Sequence, residues 1–336
     1  GPSSGFSATC ADRVRQAAER LGYVRNYHAG SLRSGQAQAI GFAFEFGVGR
    51  IASSDPKQSM LGNDYWSRII GGVAFEARNA GYQLNLVGPT REEGGLDLAF
   101  RHLRERRIDG LVVPAQVRKE LWRPLLNRSD SPVVLVGHRE ATLVPVVDYN
   151  DVEAIEHAVA HLADLGHRHV LWFGPPSEPD SDTADRRAKA FAYAALDAGL
   201  QGSVERFARD ESYPDPPRTI EYAHAGMSRI LSQPRQFTAV VCYNDHTALG
   251  VYRAAYEAGL SIPRDLSVVG FDDFVADHAW PPMTTVSHQC VTMGRRATEL
   301  LLEMIEEPRK RQALCGHYEQ VKPELMLRES TAPPPA

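Results

Sequence analysis

The chain has 336 residues, 43% of them hydrophobic and 24% charged, with a net charge of −5 at pH 7. At roughly 100–200 residues per domain, this length predicts about two globular domains, and the composition excludes a disordered or collagen-like chain. The longest run of large aliphatic residues, Val133-Val134-Leu135-Val136, falls far short of the ~18 apolar residues of a membrane span, so no membrane partner is expected. Cys10, Cys242, Cys290 and Cys315 stand too far apart for a CxxC pair and are too few to staple a chain this long, a usage that fits a reducing cytoplasm.

The charge is unevenly spread. Residues 1–39 carry Arg13, Arg15, Arg20, Arg25 and Arg33 against Asp12 and Glu19, a net of +3, which leaves −8 on the remainder. A basic head on an acidic body is one footprint of a nucleic-acid partner, although a solvated helix face carries the same charges. The chain opens on Gly1-Pro2 with no charged segment ahead of an apolar one, which reads as a truncated start and not as a secretion signal.

From residue 39 onward, short β-branched runs alternate with helical periodicity. Strands are predicted at 39–44, 83–87, 110–114, 133–136, 169–173, 239–242 and 266–271. A helix over 67–80 places Ile69, Ile70, Val73 and Ala77 on one face and stops at Gly81. Helices over 152–165 and 247–258 stop at Gly166 and Gly259 in the same way, as capping by a left-handed residue requires. The stretch 45–63, with Gly47, Gly49, Ser53, Ser54, Asp55 and Pro56, reads as a long surface loop. The alternation predicts an α/β chain of two doubly wound parallel sheets, each covered on both faces, with ligands at the carboxyl ends of the strands in a cleft between the units.

The rhythm breaks at 143–150, and the end of the chain shows an extended 284–288, a helical 294–306 and a last strand over 324–328. So short a closing segment is expected to return and complete both sheets. The expected divisions are a head over 1–38, a first unit over 39–142 and 286–306, a second over 143–285 and 314–330, and a disordered tail over 331–336 containing Pro333-Pro334-Pro335.

One string carries a specific resemblance. It runs Asp12-Arg13-Val14-Arg15-Gln16-Ala17-Ala18-Glu19-Arg20-Leu21-Gly22-Tyr23, then Asn26, Ala29-Gly30-Ser31-Leu32-Arg33-Ser34-Gly35 and Ile40-Gly41. Further along come Leu165-Gly166-His167, Arg187 with Phe191, Asn244-Asp245, Ser267-Val268-Val269-Gly270-Phe271-Asp272-Asp273, Pro282-Met283-Thr284-Thr285-Val286, Met293-Gly294-Arg295, Glu324-Leu325 and Arg328-Glu329-Ser330-Thr331. In order and spacing these resemble the lactose-repressor/galactose-repressor (LacI/GalR) family of transcriptional regulators.

The resemblance implies that 1–38 holds the last helix of a DNA-binding headpiece and a hinge helix. Leu32 stands where the family wedges a leucine into the minor groove of operator DNA, an apolar contact that offsets the cost of unstacking. Asn26, Tyr27, Ser31 and Arg33 are the accompanying candidate DNA contacts. Two positions depart from the family: Gly30 replaces an arginine and Arg25 a proline. Glycine inside a helix costs about 1 kcal/mol relative to alanine, so this hinge should be less helical without DNA. The first two headpiece helices, including the one that reads base edges, are expected ahead of Phe6, so the chain as given should not select an operator by itself.

For the body, the resemblance implies a periplasmic-binding-protein-like cleft holding a small polar effector. Arg187 matches the family's cleft arginine, whose planar donors fork onto vicinal hydroxyls or a carboxylate, and Asp272 its ligand-accepting aspartate. Thr183, Asn150, Asn244 and His288 match further polar positions, and Tyr65 and Trp66 are candidate stacking surfaces for a sugar. Asn150-Asp151 inverts the family's usual order. Glu211 replaces an aromatic, with Tyr213 two residues on, which makes the pocket more polar than in purine-binding members and favours a carbohydrate or polyol. The expected activity is that of a ligand-responsive regulator of the repressor type, acting as a homodimer or tetramer. The alternative is a solute-binding protein of a transport system, which would have no use for a hinge-like 29–35.

No cofactor and no catalytic residues are expected, because GxGxxG, GxxxxGK[ST], GxSxG and HExxH are all missing from the sequence. His157 and His161, spaced i, i+4, together with His167 and His169 could gather a zinc ion, but nothing supplies nearby cysteines and no metal is expected.

Overall fold

The computed structural model describes residues 8–22, 35–44, 64–114, 131–137, 142–177, 183–208 and 219–335. A first helix, α1 (Ala8–Arg20), ends near Gly22, which lies in the left-handed region. Asn26, Tyr27, Ser31, Leu32 and Arg33, the loop over 45–63, and Glu211 with Tyr213 lie outside the described residues.

The first sheet contains β1 (Ala39–Ala43), β2 (Gln83–Val87), β3 (Gly110–Pro114), β4 (Val133–Val136), β5 (Val146–Tyr149) and β11 (Tyr318–Val321). Its order is β11-β5-β4-β3-β1-β2 and every pairing is parallel. The second contains β6 (His169–Gly174), β7 (Gln201–Arg206), β8 (Ala239–Cys242), β9 (Ser267–Asp272), β10 (Thr284–Ser287) and β12 (Glu324–Met326), ordered β12-β10-β9-β8-β6-β7. Only the β10–β12 pair is antiparallel. Strand order reverses between β1 and β3 in one sheet and between β6 and β8 in the other. Those are the switch points where open α/β sheets leave a crevice at their carboxyl ends.

Alternation along the strands supplies both faces. Ile40, Phe42, Val112, Val134 and Val147 pack under α2 (Asp64–Asn79) and α8 (Cys290–Glu306), whereas Leu111, Val113, Val133 and Leu135 face α3 (Gly95–Arg104). In the second lobe, Val170, Trp172, Val241 and Val269 meet α4 (Asp151–Asp164) and α5 (Thr183–Asp197). Leu171, Phe173, Val240 and Val268 meet α6 (Thr219–Leu231) and α7 (Asp245–Glu257). Helices α2 and α8 touch backbone to backbone through two glycines: a Cβ at Gly72 would strike the Val291 carbonyl, and one at Gly294 the Ile69 carbonyl. The helix stops at Gly81, Gly166 and Gly259 all take positive φ, as the sequence predicts.

The structure corrects several expectations. Val146–Tyr149 is a strand of the first sheet although 143–150 reads as a break, because its pairing with Leu135 and Val136 on one side and with Tyr318–Val321 on the other extends that sheet. The chain therefore passes between lobes at Asn150, at 288–289 and at 322–323, and not at the expected 142–143, 285–286 and 306–314. Gln201–Arg206 is an exposed edge strand with no apolar alternation to betray it. The tail is ordered through residue 335. Ala332 donates to Ser267 Oγ at 3.0 Å and accepts from His167 Nε2 at 3.0 Å, and Thr331 Oγ1 lies 2.9 Å from His161 Nε2. Two of the histidines considered for zinc are thus engaged with the chain's own end.

Candidate effector site

The residues after β5, β6, β8, β9 and β10 converge on one guanidinium. Arg187, on α5, is 3% exposed. Its Nε donates to Asp151 Oδ1 at 3.1 Å, Nη1 to the Tyr243 carbonyl at 2.6 Å, and Nη2 to the Tyr149 hydroxyl at 3.3 Å. Nη2 also lies 3.0 Å from His288 Nε2, and because arginine only donates, that nitrogen accepts and the imidazole proton sits on Nδ1. The guanidinium lies 3.8 Å from the centroid of the Phe271 ring and 4.9 Å from that of Tyr243.

Burial works against the charge on Arg187, but the negative field of Asp151, with Tyr149 and Asp272 behind it, outweighs burial and holds the group firmly protonated. Asp272 ends β9 with Oδ1 at 3.9 Å from Arg187 Nη1 and 3.5 Å from His288 Nε2. Burial pushes its carboxyl well above the ordinary aspartate range, against the pull of Arg187. Its φ of +108°, followed by +60° at Asp273, is a strained backbone held in place by packing. His288 stacks on Tyr149 at 4.0 Å and meets Tyr65 edge-on at 5.8 Å.

Four sequence-predicted residues therefore meet: Arg187, Asp272, His288 and Tyr65. Thr183 opens α5 one turn before Arg187. Asn150 and Asn244 stand instead as helix N-caps. Asn150 Oδ1 accepts from the Val152 and Glu153 amides at 3.2 and 3.3 Å, and Asn244 Oδ1 from the Thr247 amide at 2.9 Å. Trp66 is 1% exposed and packs in the first lobe's core, so its ring offers no face to a ligand.

Sequence reasoning missed Asp151 and Tyr149. Asp151 bridges Arg187 and Arg186, whose Nε donates to Oδ2 at 2.8 Å and whose Nη2 also contacts that oxygen. The signal was present in Asn150-Asp151-Val152-Glu153: an asparagine three residues before a glutamate is an N-cap signature, which turns the next side chain into the site.

A second link joins the lobes. Arg68 on α2 donates to the Phe274 carbonyl at 3.1 Å and lies over the Phe274 ring at 4.9 Å. That loop is pinned from below, where Asp245 accepts from the Phe274 amide at 2.8 Å and from the Thr285 hydroxyl at 2.6 Å.

Two largely parallel sheets with a polar cluster at their carboxyl ends define a periplasmic-binding-protein-like body, and residues 159–331 match the family described as periplasmic binding protein-like domain. An HTH-type transcriptional regulator encoded in the aml 5′ region of Streptomyces limosus is 35% identical over 265 residues, covering 75% of this chain and 72% of that protein. The HTH-type transcriptional repressor PurR of Photobacterium profundum is 26% identical over 324 residues, covering 95% and 88%. Among solved structures, a LacI family transcriptional regulator from Enterococcus faecium with bound ribose superposes with a TM-score of 0.65 at 21% identity, covering 88% of this chain and 99% of that one. The chain belongs to the LacI/GalR family of transcriptional regulators.

Proposed function

We propose that the protein is a ligand-responsive, DNA-binding repressor of the cytoplasm, working as a homodimer, whose interlobe cleft takes a sugar or sugar derivative. The observation that carries this is the convergence of Arg187, Asp272, His288 and Tyr65 at the carboxyl ends of both sheets. A forked donor, a carboxylate acceptor and an aromatic edge suit vicinal hydroxyls and the apolar face of a sugar ring. The ribose held by the Enterococcus faecium neighbour supports the same ligand class. The relatives matching along most of the chain are regulators, so the transport-protein alternative is not favoured.

Calorimetry against ribose and a panel of pentoses and hexoses tests the reading. At least one sugar should bind, and Arg187→Ala and Asp272→Asn should each weaken it by about 2 kcal/mol, the cost of a charge-assisted hydrogen bond. Tyr65→Ala, at a half-buried position, gives a variant less exposed to misfolding and should weaken binding as well. Failure of every neutral sugar to bind, or affinities untouched by all three substitutions, overturns the sugar assignment.

A further inference from the structure

A concavity lies at the end of the first sheet away from the Arg187 cluster. It measures about 340 Å³ and is bounded by Gly35 and Gln36, which lead into β1, by Asp109 ahead of β3, and by Arg104, Arg106 and Arg311. These are the amino ends of the strands, whereas the Arg187 cluster gathers at carboxyl ends. We propose that this cavity binds the phosphate group of a small phosphorylated metabolite and does so against the chain segment that connects the head to the body.

Three independent features point there. First, the local acids are spent. Glu93 holds Arg101 at 2.7 Å, Glu105 holds Arg107 at 2.8 Å, and Asp109 accepts from the Ala37 and Ala39 amides at 2.8 and 3.4 Å. Neither Arg104 nor Arg106 has an ion-pair partner among the described residues, and two guanidiniums on one rim suit bidentate capture of a phosphate. Second, Arg106 sits at φ +57° directly after α3, where glycine is the residue of low cost. That turn closes the helix, with the Arg106 amide on the Leu103 carbonyl at 3.2 Å and the Arg107 amide on the His102 carbonyl at 2.9 Å, and it fixes the backbone of Arg106 at the rim. Gln38, on the connecting segment, is also left-handed at φ +50°. Third, the size falls within the range of small-molecule pockets, so this half-open concavity matches a metabolite in volume.

The cavity is coupled to the head by construction. Asp109 grips Ala37 and Ala39 through its carboxylate, and its own amide donates to the Ala39 carbonyl at 2.8 Å. A ligand on Arg104 and Arg106 therefore bears on 35–39. Any regulatory consequence rests on the repressor reading above, but binding does not, so the two can fail separately.

The test is calorimetry of the chain with ribose 5-phosphate, inorganic phosphate and ribose, combined with hydrogen exchange. Ribose 5-phosphate and phosphate should bind, and Arg104→Gln with Arg106→Gln should weaken both by at least about tenfold. Both side chains are exposed, and an unchanged melting temperature checks the fold of the double variant. Exchange of amides 35–39 should slow on binding. Lack of phosphate binding, binding within twofold in the double variant, or protection confined to 149–151 and 272–288 overturns the proposal. A double variant that binds ribose 5-phosphate normally but loses affinity for generic duplex DNA also overturns it, and assigns the arginines to the nucleic-acid backbone.

Discussion

Replacing Arg187 by methionine keeps most of the stem volume and deletes the charge. Hydrogen bonds to Asp151, the Tyr243 carbonyl, the Tyr149 hydroxyl and His288 disappear together. Breaking a buried ion pair from one side costs about 3–5 kcal/mol. Two features place this case at the low end. Asp151 keeps its contacts with Arg186, and His288 can move its proton to Nε2 and donate to Asp272 Oδ1, already 3.5 Å away. The expected loss is about 3 kcal/mol, or a fall of about 6–12 °C in melting temperature. The sign of the pH dependence follows from Asp272, whose folded pKa lies above its usual value of 3.8. Between those two values the native state holds the extra proton, so stability falls as pH rises through the window. Arg187 pulls that pKa down, so its removal widens the window and the variant is penalised less near the acid end than at neutrality. Urea titrations across pH, with Asp272→Asn in both backgrounds, measure this. The reasoning fails if Arg187→Met costs under about 1 kcal/mol, or if Asp272→Asn costs the same with and without Arg187.

Gly294→Ala should cost about 1–3 kcal/mol by thermal melting, because its methyl group meets the Ile69 carbonyl, a backbone atom with no rotamer to yield. A wild-type melting temperature in that variant would deny the close approach of α2 and α8. His167 donates from Nε2 to the Ala332 carbonyl and accepts from Thr238, and burial first of all lowers its pKa from 6.5. The stability of the neutral form is present above that value and is lost as pH falls through the folded pKa. The urea midpoint should therefore drop as pH falls below about 6.5, with a flatter drop in His167→Gln.

The strands buried on both faces were legible because each combines a β-branched run with flanking glycine or proline, as in Gly110–Pro114 and Val133–Val136. Of the four edge strands, Gln83–Val87 and Glu324–Met326 were legible and the other two were not. Gln201–Arg206 and Tyr318–Val321 bury little, and only their partners Val170–Gly174 and Val146–Tyr149 make them strands. Arg187 and Asp272 emerged through the family resemblance. Tyr149 stayed hidden because its role depends on a guanidinium 38 residues away in sequence, a contact no local pattern encodes, and Asp151 because only the capping role of Asn150 singles it out.

The positions of the lobe crossings give the Arg187 cluster mechanical meaning. Tyr149 and Asp151 flank the crossing at Asn150, and His288 lies in the one at 288–289. Three of the groups on this guanidinium thus sit on the strips of chain that must rotate when the lobes move. On the proposed reading, an effector that takes donors from Arg187 changes what holds those strips and need not push on either lobe. The first sheet carries the consequence as a body: β1 and β3 run five residues each, about 17 Å, from the amino edge beside Gln36 to the carboxyl edge beside the cleft. No chain of side-chain rearrangements through the lobe is required, because a parallel sheet packed on both faces turns with whichever end is moved. Cleft and amino-edge cavity would then act on different quantities, the angle between lobes and the order of 35–39, and would couple only as far as the head responds to both.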